Sequence, residues 1–373
     1  MNIAIIGPAH PLRGGGISTF NERLAEVLQQ QGHEVVIYSF SLQYPGFLFP
    51  GKSQLTSEPA PNGLTIKTVI NSVNPFNWIN VGKQIKQAKP DLVIVRYWLP
   101  FMGPALGTIL RLIKKNKHSR IVCIADNVIP HEKRPGDQQF TKYFIKPVDA
   151  FITMSRDVLR DLKTFTAKPS RFTPHPLYDN YGAAVSKEAA CKKLDLDPAG
   201  KYILFFGFIR KYKGLDLLLE AMKDDRIKAE NIQLIIAGEF YDDKANYTEL
   251  LQYLGDSVKL YTDFIPNEEV KYYFSAADLV VQPYRSATQS GITQVAYHFE
   301  KPMVVTNVGG LHEVVPNGKV GFVAAPQSAS VADAIVKFFQ PGSISELKQN
   351  LLEEKKKYSW EVFVDVLMEV AFQ

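Results

Sequence analysis

Cysteine is nearly absent: Cys123 and Cys191 are the only two in 373 residues, too few and too far apart for a disulfide framework or a cysteine metal cluster. Long apolar runs are missing as well. None reaches the roughly 18 residues that a membrane span needs. The opening MNIAIIGPAH has no basic stretch ahead of its apolar residues, so no secretory leader is expected and the chain reads as cytoplasmic. Acidic charge is scarce in one half only. Residues 1–172 hold 22 Lys and Arg against 11 Asp and Glu, whereas residues 173–373 hold 21 against 27. A basic half calls for an anionic partner: a phosphate-bearing acceptor, the acidic inner face of a membrane touched peripherally, or nucleic acid. Nucleic acid is disfavoured, because Lys114, Lys115 and Lys117 sit at the polar end of a helical pattern with no stacking motif beside them.

What is present alternates. Met1 to Ile6 is an apolar run of the kind buried on both faces of a parallel sheet. A loop with Gly14, Gly15 and Gly16 follows. Next comes a helical pattern through Ile17, Phe20, Leu24, Val27 and Leu28, then the strand EVVIYSF. This βαβ start is also how a dinucleotide-binding domain begins. The GxGxxG fingerprint and the acid ending the second strand are both missing, so that reading fails. Three adjacent glycines let backbone approach a ligand with no Cβ in the way. The runs DLVIVRYW, RIVCIADNV and DAFITM extend this sheet. The proline-rich segment KPSRFTPHPLYDNYGAAVSKE then reads as a linker, with His175 as a hinge residue. Six further runs, from YILFFGF to GFVAA, predict a second parallel sheet. The expected domains are 1–172 and 173–357, the last helical stretch, 358–373, completing the first.

Two stretches call for more than a place in a sheet. NPFNWINVGKQIKQAKP sets Phe76, Ile79 and Trp78 near one helical face, with Lys83, Lys86 and Lys89 behind. A basic aromatic helix can lie in a membrane interface, but a core stripe is the commoner origin and is the expectation here. Tyr202 to Gly214, YILFFGFIRKYKG, runs from buried strand through Gly207 to Arg210, Lys213 and a helix. That order presents backbone N–H groups and positive charge to a phosphate. The Asp195, Leu196, Asp197 triplet lies before a strand and reads as a turn, so no metal site is expected.

Two tandem Rossmann-like halves, a Gly-rich first loop and GFIRKYKG (207–214) resemble the GT-B glycosyltransferases. With LIIAGE (234–239), FIPNEEV (264–270), AADLVVQPY and KPMVVTNVGGLHEVV (301–315), they resemble more narrowly the large retaining group called family four. The resemblance implies an α/β fold whose two domains face each other across a cleft, with the C-terminal helix returning to the first. It implies an acceptor in the first domain, a nucleotide-sugar donor in the second, and transfer of a hexose from UDP- or GDP-sugar to an anionic, lipid-linked or polysaccharide-precursor hydroxyl. No metal or other cofactor is implied. Arg210 and Lys213 would hold the donor diphosphate, where fixed cations meet the charge gathering on the leaving group. Gly15, Gly16, Gly207, Glu239, Ile265, Ser290, Gly291 and Gln294 would line the donor site. Gly309, Gly310 and Glu313 would complete it, with Glu313 also placed to complement a helix dipole.

The chain departs from that family in three places. Phe208 stands where an Arg commonly follows the first Gly. The usual Glu pair is replaced in SATQSGITQVAY by Thr288, Gln289 and Gln294, groups that bind hydroxyls but cannot act as bases or nucleophiles. In CIADNVIPHEKRP, Asp126 and Asn127 occupy the place of the family's His, and His131 is the nearest imidazole. Asp126 and His131 are the candidate catalytic groups of the first domain. Two alternatives stay open: a sugar-nucleotide epimerase of the same fold, and a nucleotide-binding protein without turnover.

Overall fold

The computed structural model describes residues 1–12, 16–46, 54–56, 59–130, 134–287 and 290–373. The chain divides into two compact units, Met1–Pro174 with Trp360–Gln373, and His175–Ser359.

The first unit is built on a parallel sheet of β1 (Asn2–Ile6), β2 (Glu34–Leu42), β3 (Thr65–Asn71), β4 (Leu92–Tyr97), β5 (Arg120–Ala125), β6 (Ala150–Thr153) and β7 (Ser170–Phe172). Their order is β3-β2-β1-β4-β5-β6-β7. The central strands read as unbroken apolar runs because helices cover both faces; every residue of β4, Arg96 included, is buried. The edge strands β3 and β7 escape the apolar signal. Each has one side without a neighbour, so β3 alternates with exposed Lys67 and β7 is three residues of Ser, Arg and Phe. The expected linker thus begins as a strand.

The helix Trp360–Phe372 packs on this unit. The rings of Trp360 and Phe363 lie 5.0 and 5.4 Å from that of Phe20, and Arg120 Nε donates to the Ala371 carbonyl at 2.8 Å. Buried aromatics of this size each contribute about 3–5 kcal/mol against truncation to Ala.

The helix Pro75–Ala88 corrects an expectation. Its buried face is Val81, Gly82 and Ile85, while Phe76 is 85% exposed and Ile79 40%. Trp78 is half-buried and donates to the Asn71 carbonyl at 2.7 Å. The core stripe is therefore not Phe76 and Ile79. The turn that presses on the neighbouring helix Gly103–Lys114 is not the first, with its apolar residues, but a later one, at Gly82, where a Cβ would stand 2.7 Å from Leu112 Cδ1.

The second unit carries β8 (Lys201–Phe206), β9 (Ile232–Ala237), β10 (Val258–Tyr261), β11 (Leu279–Gln282), β12 (Met303–Thr306) and β13 (Gly321–Ala324). They form a parallel sheet in the order β10-β9-β8-β11-β12-β13, with apolar clusters on both faces. Asp195 closes the helix Lys187–Leu194 in a left-handed conformation, and Asp197 Oδ1 accepts from the Ala199 N–H at 2.9 Å. This is the turn read from the sequence.

In each sheet the order reverses at one place, between β1 and β4 and between β8 and β11. Successive crossovers leave such a point in opposite directions, so the loops part there and open a crevice outside the carboxyl ends of the strands. Each unit has one such point among its described residues.

Candidate functional site

The second unit's crevice is organised by Lys213. From β8 the chain turns at Gly207, whose φ is +93° and whose Cβ, were there one, would stand 3.0 Å from Lys213 Nζ. A side chain at 207 is excluded twice, by backbone conformation and by the ammonium. A short 3₁₀ turn, Lys211–Lys213, ends at Gly214. A Cβ on Gly214 would lie 2.1 Å from the Pro283 carbonyl oxygen, so the turn sits directly on the chain leaving β11. Arg285 N–H donates to the Tyr212 carbonyl at 2.7 Å, and Arg285 pairs with Asp216. Lys213 Nζ thus lies between the ends of β8 and β11, 5.8 Å from the centre of the Tyr284 ring.

Lys213 is 8% exposed, and no carboxylate pairs with it among the described residues. Burial pushes its ammonium down to about 8, and neighbouring Arg210 adds to the shift. Arg210 differs. It is exposed, and its guanidinium lies 5.2 Å from the Tyr241 ring. That ring also packs at 4.5 Å on Phe208, the residue standing in the usual Arg position. One cation is desolvated and fixed; the other is solvated and laid along an aromatic surface.

The remaining second-unit candidates surround this point unequally. Tyr284, whose hydroxyl burial pushes up, shares a hydrogen bond of 3.2 Å with Ser290. A Cβ on Gly291 would stand 2.9 Å from Tyr178, which fixes the start of the helix Gly291–His298. On that helix Gln294 is 2% exposed, and its Oε1 has no hydrogen-bond partner among the described residues. Gln282, at the end of β11, is 1% exposed; its Oε1 accepts from Thr293 at 3.1 Å while its Nε2 has no partner among the described residues. A buried amide atom left so costs about 1–3 kcal/mol. Each is a buried group that a polar ligand or water can satisfy. Glu239 follows β9, and its carbonyl accepts from Ile209 at 2.8 Å. Ile265 is half-buried against the apolar core. Gly309 (φ +52°) and Gly310 follow β12, with exposed Glu313 in the next turn. Thr288 and Gln289 lie outside the described residues.

In the first unit the crevice holds a compensated pair. Arg96, at the end of β4, is 3% exposed. Its Nε and Nη2 donate to both oxygens of Asp126, just past β5, at 2.6 and 2.5 Å. Its guanidinium lies over the Phe20 ring at 4.1 Å, and Nη1 is buried without a partner among the described residues. Gly7 leaves room for this group: a Cβ there would stand 3.1 Å from Arg96 Cβ and 2.6 Å from Asn21 Nδ2. Asp126 is among the residues expected from the sequence; Arg96, Gln282 and Tyr284 are not. A lone Arg inside the run DLVIVRYW was the available signal, since Arg is almost never fully buried unless paired. Gly16 caps the helix Ile17–Gln30 at φ +26°. Gly15 and His131 lie outside the described residues. A cavity of about 290 Å³ between Val128, Ile129, Phe165 and the start of the helix Asp137–Ile145 lies nearby. Among the described residues no three His, Cys, Asp or Glu side chains gather as a metal site would require.

Two parallel α/β sheets of this order make the GT-B fold. HepE of Anabaena, solved in complex with UDP, superposes with a TM-score of 0.74 over 99% of both chains at 14% identity. Residues 14–176 match the family described as Glycosyltransferase Family 4, and residues 200–340 match Glycosyl transferases group 1. The chain belongs to these family-four glycosyltransferases. Spore coat protein SA of Bacillus subtilis is 24% identical over 350 residues, 87% of this chain and 85% of that one. Lipopolysaccharide 1,2-N-acetylglucosaminetransferase of Salmonella typhimurium is 27% identical over 188 residues, and the match spans 48% of that protein.

Proposed function

We propose that the chain transfers a hexose from a UDP- or GDP-sugar to a hydroxyl of an anionic, lipid-linked or polysaccharide-precursor acceptor, with retention of configuration and without a metal. What carries the reading is Lys213: a buried ammonium with no acid paired to it among the described residues, at the carboxyl ends of β8 and β11. A charge kept desolvated and uncompensated is costly, and a diphosphate removes that cost on binding. As the sugar–phosphate bond breaks, the leaving diphosphate gains charge against Lys213, with Arg210 reaching its outer oxygens, so the site lowers the barrier by electrostatics already in place. The Gln294 and Gln282 amides offer one acceptor and one donor to ligand hydroxyls and leave proton transfer to other groups. Asp126, with both oxygens engaged by Arg96, suits holding an acceptor hydroxyl better than abstracting its proton. The UDP bound by HepE and the N-acetylglucosaminyl transfer named for the Salmonella relative agree with a nucleotide-sugar donor.

The test is incubation with a panel of UDP-, GDP- and ADP-sugars with and without lipid-linked acceptors. Acceptor-stimulated release of nucleoside diphosphate, lost in Lys213→Ala, is expected. Unchanged turnover in that variant sinks the assignment. Conversion of a nucleotide sugar without acceptor would favour the epimerase, and thermal stabilisation by nucleotide with no product under any condition would leave a binding protein.

A further inference from the structure

We propose that the exposed face of the helix Pro75–Ala88 is a docking surface for an anionic lipid bilayer. Phe76 is 85% exposed, and Val73 and Ile79 are 45% and 40% exposed. The helical repeat sets Phe76, Ile79 and Lys83 in one row, at i, i+3 and i+7, and Lys86 flanks it.

This face cannot turn inward. The Asn74 side chain caps the helix, its Oδ1 accepting from the Phe76 and Asn77 N–H groups at 3.0 and 3.3 Å. The Gly82 contact with Leu112 holds the opposite side. Phe76 therefore stands out because the turn beneath it is fixed, and among the described residues of its own unit none covers it.

Charge selects the partner. From Pro59 to Pro90 the chain has no Asp or Glu and four lysines, Lys67, Lys83, Lys86 and Lys89. None of the four makes an ion pair among the described residues. Lys67 lies on β3, the edge strand beside this helix. A phenylalanine and an isoleucine backed by uncompensated lysines match a bilayer boundary, where the ring enters the acyl region and the ammonium groups meet phosphates. The first turn of the helix also lies at the carboxyl end of the sheet, the end that holds the Arg96–Asp126 crevice, so a lipid-anchored acceptor would have its headgroup on the correct side. The inference deepens the lipid-linked acceptor reading and rests on it only for its purpose. Vesicle binding is read without turnover, so either can fail alone.

The experiment is co-sedimentation of the full chain with phosphatidylcholine vesicles, with and without phosphatidylglycerol. Binding to the anionic vesicles only, released by raised salt, is expected. Phe76→Ser should weaken it about tenfold, and Lys83→Gln and Lys86→Gln about fivefold each. Circular dichroism and Tm should stay at the parent values, since these side chains leave the core untouched. Equal partition to both vesicle types, or undiminished binding by Phe76→Ser and the lysine variants, overturns the proposal. So does a dimer in sedimentation that Phe76→Ser dissociates while vesicle binding is absent, which assigns the face to a second copy.

Discussion

The two crevices treat positive charge in opposite ways. Residues 1–172 are strongly basic, yet the cation at their switch point, Arg96, is neutralised on two sides by Asp126. Residues 173–373 are net acidic, yet their switch point holds a buried ammonium with no acid against it among the described residues. Net charge over a domain reports on solvated surface and long-range attraction. Desolvation within a few ångströms decides what a site binds. A guanidinium already held by a carboxylate gains less from a further anion than a buried ammonium without one.

The comparison breaks most sharply at Lys213. Lys213→Ala should reduce transfer about 10²- to 10³-fold or more while raising or leaving unchanged the Tm of the ligand-free protein, measured by diphosphate release and calorimetry. A fall in Tm would mean that the ammonium has a structural partner and that the two crevices are alike. At the other crevice, Asp126→Asn should lower stability by about 3 kcal/mol, because it strands a buried guanidinium. Arg96→Met combined with Asp126→Leu should recover much of that loss in a denaturation series. If the single variant costs nothing, the pair is not what holds β4 to β5 at their ends.

Gly207→Ala tests the close approach. Left-handed backbone costs a non-glycine residue about 1–2 kcal/mol, and the new methyl would press on Lys213 Nζ, so UDP affinity should fall along with Tm. The smallest effect is with pH. The folded lysine sits near 8, below its ordinary value, so the unfolded chain binds more protons between the two. Ligand-free stability from this group should therefore rise as pH increases across that window. Nucleotide affinity should move the other way, falling by at most about tenfold per pH unit above 8 as the ammonium is lost. Calorimetry and nucleotide titration over the same buffers separate the two slopes.

Much of this was legible from residues alone. The central strands announced themselves because double-sided burial makes them continuously apolar, and GFIRKYKG located the turn that carries Lys213. The edge strands β3 and β7 were passed over because a half-covered strand carries polar residues on its open side. Phe76 was misplaced because helical spacing defines a row of side chains without saying which row meets the sheet. Arg210 and Lys213 looked equivalent as letters and are not, one being exposed against Tyr241 and the other buried behind Gly207.

By itself the sequence determined the two parallel sheets, their helices and the family, since burial periodicity and glycine placement are local properties of the chain. Only the tertiary structure decided which cation is left uncompensated. Whether a charge has a partner depends on residues such as 96 and 126, thirty positions apart, being brought within hydrogen-bonding distance. Spacing along the chain carries no record of that.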